Sequence, residues 1–320
     1  MENKIELHSE IAKVQNLDLL AKQVVEGFLI GLHKSPFHGF SVEFAEHRLY
    51  NPGESTRTID WKVYARTDRL YVKKFEEETN LRCQIIIDAS SSMFYPEAKE
   101  LKAATSSEQA GLRKIDFAGI AAAAVMQLLR KQRDAFGLTI FSDHVELNSE
   151  VKSNSVHYKH LLGQIENVIN RDAGKKKTAA AECLHEVADK IHRRSLVVIF
   201  SDMFENVSPE SEEFKATFAA LQHLKHNKHE VILFHVLDYA KELEFDFVNR
   251  PYRFIDLETG DQVKLTPSQV KETYVREMKD FFRQLKLKCG QYHIDLVEAN
   301  INLGFRQILL PYLTKRVKFN

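Results

Sequence analysis

Cysteine is scarce in this chain. Cys83, Cys183 and Cys289 are its three cysteines. They stand about a hundred positions apart, with no CxxC pair or zinc-ligand spacing. Such usage suits a reducing compartment. Cys83 and Cys183 fall in apolar periodic stretches and read as small buried hydrophobes. Net charge is absent as well, 45 basic residues balancing 45 acidic ones. No global field therefore draws the protein toward nucleic acid or an anionic membrane. Long hydrophobic runs are missing too: the longest, over 117–129, has 13 residues, against the roughly 20 that a membrane span needs. The N-terminus, Met1-Glu-Asn-Lys-Ile-Glu, is too polar for a signal peptide. These absences lead to the expectation of a cytoplasmic protein with no membrane span and no nucleic-acid partner.

What the sequence does hold is 44% hydrophobic residues with 10% aromatics, enough to fill a sizeable core. Ile11, Val14, Leu17, Leu20, Val24, Val25 and Phe28 recur at helical spacing. Over 40–78 the chain turns dense in aromatics, arginines and turn residues, with Asn51-Pro52-Gly53 the clearest turn. From residue 81 the pattern changes. Residues 83–88, 196–200 and 231–236 are short, nearly continuous apolar runs, as strands covered on both faces require. Helical patterns follow at about 115–130, 157–169, 178–191, 208–225, 268–288 and 305–315, with a further strand at 293–297. Two more runs, 136–141 and 145–151, flank Ser142-Asp143-His144 and suggest a hairpin. Strands alternating with helices predict an α/β fold with a mostly parallel central sheet flanked by helices. Residues 1–80 form a helical and β extension on this division and 81–320 the main domain. A hairpin is inserted near 244–265, turning at Asp256-Leu-Glu-Thr-Gly260.

In open parallel sheets, ligands bind beyond the carboxyl ends of the strands. Two of the most apolar strands end there in aspartates, Asp88 and Asp202. After the first comes Asp88-Ala-Ser90-Ser-Ser92-Met93. Alternate residues of a tight loop can turn their oxygens to one side, so Asp88, Ser90 and Ser92 can converge. Thr178 can add a hydroxyl and Asp202 a second carboxylate, directly or through water. Oxygen donors without sulfur or imidazole suit a hard cation, Mg²⁺ first and Mn²⁺ next, with coordination positions left open.

This set resembles the metal-ion-dependent adhesion site of von Willebrand factor A domains, whose pattern is DxSxS, a distal threonine and a distal aspartate after a later strand. Here those are Asp88-x-Ser90-x-Ser92, Thr178 and Asp202. Members often carry glycine before the threonine, whereas this loop reads Gly174-Lys-Lys-Lys-Thr178. The stretch between Met93 and Lys114 is also longer than the pattern leads one to expect, an insertion beside the site. The resemblance implies a Rossmann-like von Willebrand A domain that binds a partner's Asp or Glu through Mg²⁺.

A second resemblance rests on the run from Phe44 through Arg48-Leu-Tyr50-Asn-Pro52-Gly53, Arg57-Thr-Ile59-Asp60-Trp61 and Arg66 to Val72. It is similar to the signature of a bacterial family catalogued as domain of unknown function 58. That resemblance runs from about residue 39 to the C-terminus, including Asp256–Gly260. It implies a non-enzymatic adaptor or chaperone-like factor acting with a MoxR-type AAA+ ATPase, a client protein, or both. Physically, Arg48, Arg57 and Arg66 alternate with Tyr50, Asp60 and Trp61, and guanidinium forks pair carboxylates and stack on aromatic faces. That supports a clamp onto the domain, a partner-binding surface, or single-strand nucleic-acid binding. The rival class is a metal-dependent phosphoester hydrolase, for which Lys175–Lys177 offers a charge clamp but no base stands out. His185-Glu186-Val-Ala-Asp189 stops one histidine short of a zinc-protease motif, and the loop 172–178 lacks the glycine and lysine placement of a phosphate loop.

Overall fold

Runs with no polar alternation must be covered on both faces, and the computed structural model shows how. It describes residues 16–33, 47–49, 61–73, 81–96, 111–172, 179–203 and 211–317. The described residues fall into two units, one of 17–28 with 81–317 and one within 29–80.

Chain order begins with helix α1 (Leu17–His33). The smaller unit then holds strand β1 (His47–Leu49), helix α2 (Trp61–Thr67) and strand β2 (Tyr71–Lys73), with β1 and β2 antiparallel. In the larger unit come β3 (Arg82–Asp88), a 3₁₀ turn (Ser91–Phe94), α3 (Lys114–Lys131), β4 (Ala135–Phe141) and β5 (Val145–Asn148). There follow α4 (Ser155–Asn170), α5 (Ala180–Lys190), β6 (Leu196–Ser201), α6 (Glu212–His226) and β7 (Glu230–Leu237). A π-helical turn (Tyr239–Leu243), β8 (Tyr252–Ile255), β9 (Gln262–Leu265), α7 (Pro267–Gln291), β10 (Asp295–Asn300) and α8 (Arg306–Val317) complete it.

The six-stranded sheet runs β10-β7-β6-β3-β4-β5, parallel throughout except for the antiparallel pair β4–β5. This is the expected α/β architecture. Hairpins form at β4–β5 and at β8–β9, the latter covering Tyr252–Leu265 within the stretch 244–265. Strand order reverses at β3: the chain moves from β3 to β4 on one side, then returns to β6 on the other. The crevice at the carboxyl ends of β3 and β6 is therefore the switch point where such sheets bind ligands.

On one face of the sheet, Ile86, Val197, Ile199, Val231 and Leu233 pack under α5, α6 and α7 through Leu184, Phe218, Leu221, Phe281 and Leu285. α3 is buried almost all round, as its apolar circumference requires. Its Gly119 lets α4 come close: a Cβ there would stand 2.6 Å from Ile169 Cδ1 and 2.9 Å from Ile165 Cγ2. Phe117 stacks on Phe305 at 4.8 Å, just ahead of α8. All three cysteines are free and buried.

The first helix differs in its partnership from an extension of residues 1–80. Leu17 N donates to Glu166 Oε1 on α4 at 3.2 Å, and Tyr158 Oη on the same helix donates to Asp18 Oδ1 at 3.0 Å. Leu17, Leu20, Ala21, Val24, Val25 and Phe28 are buried. Amphipathic spacing shows that a helix has a covered face; it does not show which element covers it.

Candidate cation site at the switch point

The site begins with Asp88, last residue of β3, in register with Phe141 of β4 and one step past the Ile87–Phe200 pairing with β6. Its carboxylate is fully buried. Ser90 N donates to Asp88 Oδ1 at 2.9 Å, the local side-chain-to-backbone bond that aspartate makes at a turn. Ser201 Oγ donates to Asp88 Oδ2 at 2.6 Å. Ser90 Oγ and Ser92 Oγ lie 3.1 Å apart, sharing a hydrogen bond. The alternation Asp88-x-Ser90-x-Ser92 thus turns its oxygens together.

Backbone bonds brace this loop. Ala89 N donates to Phe141 O at 2.7 Å, Met93 N to Ser90 O and Tyr95 N to Ser92 O, both at 3.1 Å. Arg171 Nη2 donates to Ala89 O at 3.1 Å, while its guanidinium stands over the Phe94 ring and pairs with Glu146. The 2.9 Å bond from Lys114 N to Tyr95 O fixes the start of α3 to the same loop.

Asp202 follows β6 directly, and Met203 after it takes a left-handed φ of 53°. Met203 N donates to Ser201 Oγ at 2.9 Å, so one hydroxyl joins the turn to Asp88. Burial, and then the neighbouring charge of Asp202, raises the Asp88 carboxyl to about 7, against the lowering effect of the Ser201 and Ser90 hydrogen bonds. Two carboxylates buried side by side call for a positive charge.

Lys114 supplies one. Its Nζ donates to Asp202 Oδ2 at 2.7 Å and to Glu242 Oε1 at 2.5 Å, with the lysine and Asp202 side chains 1% exposed. Burial alone lowers a lysine, but the charges of Asp202 and Glu242 outweigh it and hold Lys114 above its ordinary value. Glu242 is set by the π-helical turn: Asp238 N donates to its Oε2 at 2.8 Å, and Tyr274 Oη donates to its carbonyl oxygen at 2.8 Å. His235, on β7 opposite Ser201, donates Nε2–H to the Asp202 carbonyl at 2.7 Å.

The structure therefore brings Asp88, Ser90, Ser92 and Asp202 to one end of the sheet. Thr178 lies outside the described residues, although Ala179 beside it donates N–H to Ser142 O at 3.0 Å. Among the described residues, no group of three or more His, Cys, Asp or Glu side chains is placed to hold a metal ion. With Asp202 engaged by Lys114, the candidate donors are the Asp88 carboxylate and the Ser90 and Ser92 hydroxyls, a set that fits a hard cation with most of its shell open. Lys114, Glu242 and Ser201 are the residues that sequence reasoning did not assign. A lysine beginning an otherwise apolar helix was the available signal, because a buried ammonium must find a carboxylate.

Of the arginine and aromatic signature, Tyr50, Arg57 and Asp60 lie outside the described residues. Arg48 sits on β1 in register with Val72. Trp61 and Arg66 are exposed on α2, where the Trp61 ring meets Tyr64 edge-on at 6.1 Å. His185 meets His223 of α6 instead of forming a zinc-protease triad, Nδ1 to Nδ1 at 3.1 Å.

A family model described as "Protein of unknown function DUF58" matches residues 46–282. The chain belongs to the DUF58 family. The DUF58 match takes in Asp88, Lys114, Asp202 and Glu242 as well as the signature from Arg48 to Arg66. Among curated relatives, the uncharacterized protein Mb1516 of Mycobacterium bovis is 27% identical over 191 residues, covering 60% of this chain and 56% of that protein. The match thus spans little more than half the relative's length. BatB from Bacteroides thetaiotaomicron is a similar solved structure, at 12% identity and a TM-score of 0.42, covering 74% of this chain and 99% of that one. A von Willebrand factor type A structure from Catenulispora acidiphila is also similar, at 14% identity and a TM-score of 0.35, covering 62% and 43%. Among the described residues, no helix of this DUF58 chain is long and apolar enough to cross a membrane.

Proposed function

We propose that this protein is a non-enzymatic, protein-binding adaptor that recognises an acidic side chain of a partner through a divalent cation. The observation that carries the reading is the convergence of Asp88, Ser90 and Ser92 beside Asp202 at the sheet's switch point. Asp88, Ser90 and Ser92, with Thr178, would hold the cation, Mg²⁺ first and Mn²⁺ next. The bound ion would supply open positions for one partner carboxylate. The chain's own part is to keep the crevice dry and shaped. Ser201 orients Asp88, the Ser90 amide fixes the other carboxylate oxygen, and Arg171 braces the loop from behind.

Support for binding over catalysis comes from how the neighbouring proton-carrying groups are engaged. The Lys114 ammonium is held between two carboxylates and His235 donates to a backbone carbonyl. The partner we propose is a MoxR-type AAA+ ATPase, a client protein, or both in turn, in the cytoplasm. The exposed Trp61 and Arg66 of the smaller unit suit a second contact with either.

The test is affinity capture from native lysate with wild type and Asp88→Ala, each in Mg²⁺ and in EDTA. A AAA+ ATPase or discrete client retained only by wild type in Mg²⁺ is the expected result. The same partners in all four captures would remove the cation from recognition. Mg²⁺-dependent phosphoester hydrolysis abolished in Asp88→Ala would replace the adaptor with an enzyme.

A further inference from the structure

Lys114 carries a positive charge into the place where two aspartates meet at the end of the sheet. Its side chain is 1% exposed, and a lysine is almost never buried so fully without a partner. Three elements fix its position. Its own N–H is bonded to Tyr95 O on the Asp88–Ser92 loop, while its Nζ reaches Asp202 after β6 and Glu242 in the π-helical turn. Glu242 is itself anchored by Asp238 N and, at its backbone, by Tyr274 Oη. The ammonium is thus held from both sides, in the manner of a bound ion.

We propose that Lys114 is a tethered cation that neutralises Asp202, so that a divalent ion entering the site is held by Asp88, Ser90 and Ser92 without the charge of the second aspartate. This rests on the reading above, that the loop takes a divalent cation. A compact ammonium with three donors is the side chain best suited to stand in for an ion. Affinity of an oxygen site for a hard divalent cation follows its count of charged ligands. With Asp202 committed to Lys114, one carboxylate remains for the ion, and binding in the free protein is weak. A carboxylate from a partner then supplies the missing charge. The ion and the partner each strengthen the other's binding, as linkage requires. Lys114 is a positioning residue in this scheme: it sets affinity by occupying Asp202 and touches neither the ion nor the partner.

The experiment is a Mn²⁺ titration followed by electron paramagnetic resonance, which counts free against bound ion. It compares wild type, Asp88→Ala and the double variant Lys114→Met/Glu242→Gln, with circular dichroism confirming the fold of each. The double variant removes the tethered charge together with its second carboxylate, releasing Asp202 from the ammonium. Mn²⁺ binding at least tenfold tighter than in wild type is expected. Lys114→Gln, which leaves Asp202 an uncharged donor, carries the same direction at fivefold or more should the double variant fail to fold. Equal affinity in wild type and variants overturns the tethered cation while leaving the cation-bridged reading intact. Binding in the variants with none measurable in wild type supports the tethered cation, as the extreme of the weak binding expected of the free protein. No binding in any folded form, or loss of binding on removing Lys114, overturns the inference.

Discussion

Lys114, Asp202 and Glu242 share one buried charge network, and buried networks respond sharply when a single member is lost. Lys114→Met takes the ammonium away from two carboxylates, Asp202 and Glu242, and breaking a buried pair in this way costs about 3–5 kcal/mol. Lys114→Met/Glu242→Gln should recover part of that loss, which urea unfolding followed by circular dichroism can read. A double variant no more stable than the single one would mean that Glu242 is not part of the network. His235 gives a second residue-scale test. Burial lowers it to about 4, against the raising effect of its bond to the Asp202 carbonyl, whereas an unfolded histidine titrates near about 6.5. Between those values the unfolded chain binds the proton and the folded chain does not. The histidine's contribution is therefore complete above about pH 6.5 and lost toward pH 4, at up to about 1.4 kcal/mol per pH unit. Asp88, raised by burial and Asp202, works in the opposite direction. The measurement is accordingly the contrast between wild type and His235→Gln: the acid-side loss should be shallower in the variant, and parallel curves would disprove the assignment.

At the scale of elements, α3 and α4 meet through Gly119, where an added Cβ falls against two isoleucine side chains. Ala at this position can be met by a shift of Ile169, but Gly119→Val adds branched bulk to a close-packed seam and should cost about 1–3 kcal/mol. A urea midpoint unchanged from wild type would show that the seam has room. The elements themselves were largely legible in the sequence. β3, β6 and β7 could be read because strands covered on both faces tolerate almost no polar residue, and the ends of two of them displayed Asp88 and Asp202. Ser90 and Ser92 followed from the alternation of a tight loop. What stayed hidden was pairing across the sequence. Lys114 can be noticed as a charge opening an apolar helix, but nothing near it names its partners, and Glu242 lies in a turn whose closure no periodic pattern announces. Their contact joins positions 128 residues apart. Register and crossovers bring them together, and neither is written in the local sequence.

Taken whole, the larger unit is discontinuous in sequence, made of Leu17–Phe28 and the chain from residue 81 onward. A chain beginning at Leu81 would lose the six buried apolar side chains of α1 and the Asp18–Tyr158 bond. It should unfold at a lower urea concentration than the full chain, or be recovered largely insoluble because the vacated face is apolar. An equal midpoint would make α1 an appendage.

The seating of α1 on α4 also sets an order of events during synthesis. The helix leaves the ribosome well before its hydrogen-bond partners Tyr158 and Glu166, which follow 140 and 149 residues later. At about 5–20 residues per second, its apolar face waits roughly 7–30 s for the surface that covers it. Throughout that interval the nascent chain displays a sticky helix, a natural landing place for a holdase.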